Sequence, residues 1–216
     1  MDTKPQVVIF DVNETLTDMT PLRTTFEEVG LPGRDMDLWF AGILRDGIAL
    51  AAAGGFAEFA HIGKDLLRGM GLEDKQIDHV LGAFTEVKLH PDVPDGMRAL
   101  RAAGIRLFTM TNGAAAMTRG ILGRAGLLDL VEETLDVSGP GVWKPARAAY
   151  DYAVGRAGVR PGEAALVAVH PWDIDGAERA GLVGAYLDRR GVPYPETASA
   201  PRVTALDLRE LAGRWR

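Results

Sequence analysis

The chain has 216 residues, no cysteine and a formal net charge of −6, with 47% apolar and 25% charged residues. That length suits one domain, or one domain carrying an insertion, and the composition is that of a globular protein able to bury a core. Without cysteine there are no disulfides, thiolate metal sites or cysteine nucleophiles, and an acidic chain lacking a Lys/Arg cluster argues against nucleic acid and anionic membranes as partners.

Val7-Val8-Ile9-Phe10 is an apolar run of the kind found in a buried strand, and Asp11-Val12-Asn13-Glu14-Thr15 follows at once. Residues 21–87 read as helical throughout. Trp39, Ile43 and Leu44 recur at helical spacing, Ile48 and Ala51 continue the stripe, and Phe56, Phe59, Ile62 and Leu66 repeat it. Residues 76–84 form a further helix, while Gly54-Gly55 and Gly69-Met70-Gly71 read as breaks. Two prolines in His90-Pro91-Asp92-Val93-Pro94 mark a boundary. Beyond it the pattern predicts a helix over 96–103, a strand over 105–110 and a helix from near Ala114. A shorter strand over 134–137 and a helix over 147–157 come next, then a strong strand over 164–169. A helix from Asp173, a strand over 183–187, a proline-rich loop over 191–201 and a terminal helix over 207–211 complete the chain. Alternating strands and helices predict an α/β fold, a parallel sheet covered on both faces. Residues 1–17 and 90–216 would form this core, with residues 18–89 an all-helical insertion after the first strand.

No apolar run reaches the ~20 residues of a membrane helix, and Met1-Asp2-Thr3-Lys4-Pro5 lacks a signal-peptide stretch. A cytoplasmic protein is the expectation.

Four strand ends carry polar groups: Asp11 with Asn13 and Thr15; Thr111-Asn112-Gly113; Trp143-Lys144-Pro145 in a loop before a helix; and His170-Pro171-Trp172-Asp173. Taken singly, each has a plain reading. Thr111-Asn112-Gly113 is a turn, Lys144 a surface charge, and Asp173 a helix N-cap. In a parallel sheet, however, these ends point the same way and converge at one crevice.

Together these residues resemble the haloacid dehalogenase superfamily: Asp11 after the first strand, Thr15 four residues on, Thr111 after the second, Lys144 before a later helix, and Asp173. The resemblance implies a Rossmann-like core, a helical cap domain and a nucleophilic Asp11. Phosphatases of the superfamily carry a second Asp where this chain has Asn13, and a Mg²⁺-binding acid where it has Val169. The chain is more similar to the L-2-haloacid dehalogenase branch. Thr111-Asn112-Gly113 resembles that branch's Ser-Asn-Gly turn, Lys144-Pro145 with Tyr150 its Lys-Pro motif, and Trp172-Asp173 with Gly176-Ala177 its final motif. It departs from the branch at Asn13, where a Tyr is usual, and at Ala168-Val169-His170, where Ser-Ser-Asn is usual. Phe40 follows Trp39 where an Arg normally meets the halide; the nearest arginine is Arg45.

The resemblance implies a metal-independent hydrolase with no cofactor, cleaving the carbon–halogen bond of a small 2-halocarboxylate through a covalent ester on Asp11. Lys144 would keep Asp11 ionised and Thr15 would hold its other oxygen. Thr111, Asn112 and the amides of the following helix would bind the substrate carboxylate. Asp173 or His170 would activate water, Asp173 being favoured because it matches the family position. Val12, Asn13, Phe40, Arg45, Tyr150 and Trp172 complete the expected substrate site, with Trp172, Trp143 and Phe40 as an apolar wall. The partner is a small carboxylate, with no nucleic acid and no membrane, and the apolar insertion allows a homodimer. Competing readings are a Mg²⁺-dependent phosphatase of the same superfamily, a hydrolase of another carbon–heteroatom bond, a receiver-like phosphoacceptor, and a catalytically silent small-molecule binder.

Overall fold

The computed structural model describes residues 3–216. β1 (Val7–Phe10) is buried on both faces. Val7 and Ile9 join one apolar cluster, Val8 and Phe10 the other. That is the period-two alternation of a strand covered on both sides, and each such side chain contributes about 1.5–3 kcal/mol on burial. Around β1 stand β4 (Arg106–Thr111), β5 (Val131–Asp136), β6 (Ala164–Ala168), β7 (Val183–Leu187) and β8 (Val203–Ala205), in the order β5-β4-β1-β6-β7-β8. Every neighbouring pair is parallel. Phe10 lies level with Thr109 of β4 and Val167 of β6, so the segments leaving these three central strands emerge at one edge.

The chain leaves this edge through β2 (Thr17–Asp18) and returns through β3 (Lys88–Leu89), which pair antiparallel. Between them lie α1 (Leu22–Glu28), α2 (Asp35–Ala52), α3 (Phe59–Gly69) and α4 (Asp74–Thr85). Trp39 of α2 is buried and donates its indole N–H to Gly63 O at 2.9 Å, tying α2 to α3. At Gly47 of α2 an added Cβ would lie 2.4 Å from the Trp143 ring, so only glycine lets the tryptophan pack there.

α5 (Val93–Ala102) and α9 (Leu208–Arg214) contribute to the cluster under Val8 and Phe10; α7 (Arg147–Ala157) and α8 (Pro171–Ala180) contribute to the one under Val7 and Ile9. α6 (Ala115–Arg124) follows β4. The α/β fold with a parallel sheet and an all-helical stretch over α1–α4 agrees with the expectation from sequence.

The differences have local causes. α5 and α8 begin earlier than expected, at Val93 and Pro171, because Pro94 and Pro171 occupy the first turn, where no amide hydrogen is needed. Asp173 therefore lies inside the first turn of α8 and is not its N-cap. β2, β3 and β8 are too short for a periodicity to register. Among the described residues, no helix is long and apolar enough to cross a membrane.

Candidate active site

Asp11 extends β1 by one residue, its amide donating to Val167 O at 3.0 Å. Its carboxylate is buried and bonded on both oxygens. Thr15 Oγ1 donates to Oδ2 at 2.6 Å and Lys144 Nζ to Oδ1 at 3.0 Å. Thr15 Oγ1 in turn accepts Val169 N at 3.1 Å, so the residue after β6 acts through its backbone whatever its side chain. Lys144 is fully buried and also donates to Asp173 Oδ2 at 2.5 Å. Tyr150 donates to Asp173 Oδ1 at 2.7 Å. Gly176 makes room for that phenol: an added Cβ would lie 2.5 Å from the Tyr150 hydroxyl and 2.7 Å from Pro145. Asn112 clamps the Lys144 main chain, accepting its N–H at 2.9 Å and donating to its carbonyl at 3.2 Å.

One ammonium thus serves two buried carboxylates, and they respond differently. Burial pushes Asp11 up, but Lys144, the His170 ring and the two hydrogen bonds outweigh it, leaving the carboxyl below its ordinary range. Burial also pushes Asp173 up. There the negative charge of Asp11 adds to the effect, and despite Lys144 the carboxyl stays above its ordinary value. Burial alone would lower Lys144, but its two partners hold it above the normal lysine range. Burial, then Asp173, pushes the Tyr150 phenol well up, so it stays a donor.

Near the second Asp11 oxygen lies His170, with Nε2 3.8 Å from Asp11 Oδ2, 3.6 Å from Glu14 Oε2 and 3.3 Å from Asn13 O. Its ring sits between Phe40 (centroids 6.4 Å apart, 29° between planes) and Trp172 (5.2 Å, 20°). Glu14 has a left-handed backbone, φ 61°, uncommon away from glycine, and pairs with Arg190. Glu14, Phe40, His170 and Arg190, with Leu44, border a cavity of about 720 Å³.

The structure thus brings Asp11, Thr15, Lys144, Tyr150, His170, Trp172 and Asp173 together with Phe40. Asn13 and Thr111 meet at Gly113, where an added Cβ would lie 3.3 Å from Thr111 Oγ1 and 3.4 Å from Asn13 Nδ2. Val12 is buried, its carbonyl accepting Leu16 N at 2.9 Å. Arg45 is not gathered in. Its side chain is 70% exposed and forks onto Asp46 at 2.7 and 3.0 Å, because its position on α2 faces solvent. Ala115 N, an amide of the helix start expected to meet the substrate carboxylate, is already used on Asp136 Oδ2 at 2.7 Å, and Gly113 N just before it bonds Thr111 Oγ1 at 2.9 Å. Trp143 does not reach the crevice either, lying stacked on Phe59 at 6.1 Å. Sequence reasoning missed Glu14, Gly47 and Arg190; the glycine-free turn carrying Glu14 left no pattern to find.

The donor set does not suit a divalent cation. The Lys144 ammonium already sits between the two carboxylates, Val169 offers a buried apolar side chain, and among the described residues no group of three acidic or histidine side chains is arranged to hold a metal ion.

A family model described as haloacid dehalogenase-like hydrolase matches residues 5–181. The (S)-2-haloacid dehalogenase 1 of Pseudomonas sp. (strain CBS-3) is 26% identical over 211 residues, 94% of this chain and 93% of that protein. The (S)-2-haloacid dehalogenase of Pseudomonas sp. (strain YL) is 25% identical, covering 94% and 90%. The L-2-haloacid dehalogenase structure from Xanthobacter autotrophicus with chloropropionic acid covalently bound shares the fold, at TM-score 0.86, 22% identity and 97% coverage of both chains.

Proposed function

The chain belongs to the haloacid dehalogenase-like hydrolase family, and from that membership we propose that it hydrolyses the carbon–halogen bond of a small 2-halocarboxylate through an ester on Asp11. The observation that carries this reading is the shared ammonium, Lys144 Nζ, 3.0 Å from Asp11 Oδ1 and 2.5 Å from Asp173 Oδ2. It supplies a fixed positive charge to a nucleophile in a site without the donors for a metal. The relatives named for this reaction span nearly the whole chain.

Asp11, ionised and held by Thr15 and Lys144, attacks C2 while the halide departs with the bonding electrons. Inversion follows from the single displacement at that carbon. Water then adds to the Asp11 carbonyl carbon, and the 2-hydroxy acid leaves with the oxygen that came from Asp11. Asp173, made more basic by burial and by Asp11, takes the proton from that water. Tyr150 and Asn112 act as positioning residues, one on Asp173 and the other on the Lys144 backbone. Thr111 and Asn13 stand where the substrate carboxylate would lie, and Phe40 and Trp172 keep competing water out.

Residues 18–89 act as a cap over this site in the same proposal, with the enzyme working in the cytoplasm. Leu38, Leu50 and Phe56 are exposed in and beside α2 and support a homodimer through the helical segment, to be checked by light scattering. The mechanism is tested by multiple turnover in heavy-oxygen water with racemic 2-chloropropionate. Label in the Asp11 peptide is expected. Label in product alone, together with an active Asp11→Asn, would refute it.

A further inference from the structure

The proposed displacement releases an anion beside the buried Asp11 carboxylate, and such an anion needs a donor aimed at it in advance. The nearby cations are spoken for. Lys144 is shared by Asp11 and Asp173, and Arg189 is held by Asp92, at 2.8 and 3.0 Å, and by Thr15 O. Arg190 is paired with Glu14, Arg23 with Asp37 and Arg45 with Asp46. His90 Nε2 lies on Glu14 O at 3.0 Å.

His170 differs from all of these. The oxygens of Asn13, Glu14 and Asp11 around its Nε2 are all acceptors, so this nitrogen carries the hydrogen. None of them lies at the roughly 2.9–3.0 Å of a well-made N–H···O bond. His170 is therefore a buried donor, surrounded by acceptors and well bonded to none. It borders the cavity, approaches the Asp11 oxygen that Lys144 does not bond, and its ring stacks on both Phe40 and Trp172.

We propose that His170 Nε2–H is the donor that receives the departing halide, and that Phe40 and Trp172 hold it in place for that task. The assignment rests on the aspartyl-ester reading. In this step an Asp11 oxygen bonds to C2, the carbon–halogen bond breaks, and the halide leaves with its electron pair into a hydrogen bond from Nε2. No proton changes owner.

The test compares wild-type, His170→Ala and His170→Gln on racemic 2-fluoro-, 2-chloro- and 2-bromopropionate. It follows halide release and the mass of the Asp11 peptide in single turnover. His170→Ala should slow carbon–chlorine cleavage about 100-fold, within the range for losing one such donor. The loss should be larger for fluoride and smaller for bromide, and His170→Gln, which keeps an N–H, should recover part of it. A loss equal for all three halides shows a merely structural role and overturns the proposal. Unchanged cleavage with accumulating ester makes His170 the water-activating base and overturns it equally. A measurement on the unmodified protein needs no variant to fold. Trp172 is the least buried of the four tryptophans, so iodide should quench fluorescence saturably at the His170 site. Purely collisional quenching counts against the site. Absence of heavy oxygen in wild-type Asp11 is a different failure: it removes the ester reading and this assignment with it.

Discussion

The two flanks of Asp11 are built on opposite principles. On the Lys144 flank these groups are buried and hydrogen-bonded at 2.5 to 3.2 Å: Lys144 on two carboxylates, Tyr150 on Asp173, Asn112 on the Lys144 backbone. On the His170 flank the contacts are long, 3.3 to 3.8 Å, the neighbours are aromatic, and a cavity of about 720 Å³ adjoins. The first flank holds a nucleophile in one state. The second leaves a donor under-used for whatever arrives. A site that must both aim a charged group and accept a transient one separates the two tasks in space.

Replacing the ammonium should break this contrast most severely. Lys144→Met leaves two buried carboxylates facing each other without a cation, which should cost about 3–5 kcal/mol of stability and nearly all activity. The pH dependence follows from the direction of the Asp11 shift. A carboxyl held below its ordinary ~3.9 contributes stability that is present above that pH and lost as pH falls through its folded value. Alkylation of wild-type Asp11 should therefore be flat from about pH 5 to 7. In Lys144→Met its acid limb should climb into that window, because burial then loses its largest opponent and only His170 and the Thr15 hydrogen bond still act against it. Denaturant unfolding and mass-spectrometric alkylation profiles measure both effects.

Gly176→Ala attacks the same flank indirectly. The new methyl would press on the Tyr150 hydroxyl and Pro145, moving Tyr150 off Asp173. A loss of about 1–3 kcal/mol is expected from the overpacking, with turnover falling more than in Gly47→Ala. At Gly47 a methyl would meet the Trp143 ring, and a similar loss of stability is expected. Turnover there should change little, because Trp143 stacks on Phe59 and not on the reacting groups. Equal kinetic damage in the two alanine variants would erase the distinction between packing and positioning.

His170→Gln should lower stability by less than about 1 kcal/mol, since it removes no well-formed hydrogen bond. A loss matching Lys144→Met would show that the two flanks are alike. The smallest effect expected is that of EDTA, which should leave turnover unchanged. Loss of activity restored by Mg²⁺ would instead favour phosphoryl chemistry and a different role for Lys144.

Much of the site was legible because each member sits just beyond an apolar strand or opens a helix. Asp11, Thr111 and His170 follow strands whose period is plain, and Lys144 and Asp173 accompany helix starts. Partners were less legible. Asn112 was expected on substrate and is bonded to the Lys144 backbone; Tyr150 was expected on substrate and bonds Asp173. Arg45 was expected near the leaving group and forks onto its own neighbour. Hydrogen-bond choice depends on angstrom-scale placement, which residue type and spacing do not encode.

Local chemistry along the chain determined where strands end, the order of the motifs and the helical character of the stretch after β1, because apolar periodicity and turn residues act over a few positions. Only the tertiary structure decided that an ammonium 133 residues away reaches Asp11. It also decided that Phe40 from the inserted helices stacks on His170, leaving an imidazole nitrogen 3.8 Å from the Asp11 oxygen that Lys144 does not bond. Those distances are set by how sheet and helices pack, and a side chain's role at this site follows from the few tenths of an ångström that packing leaves it.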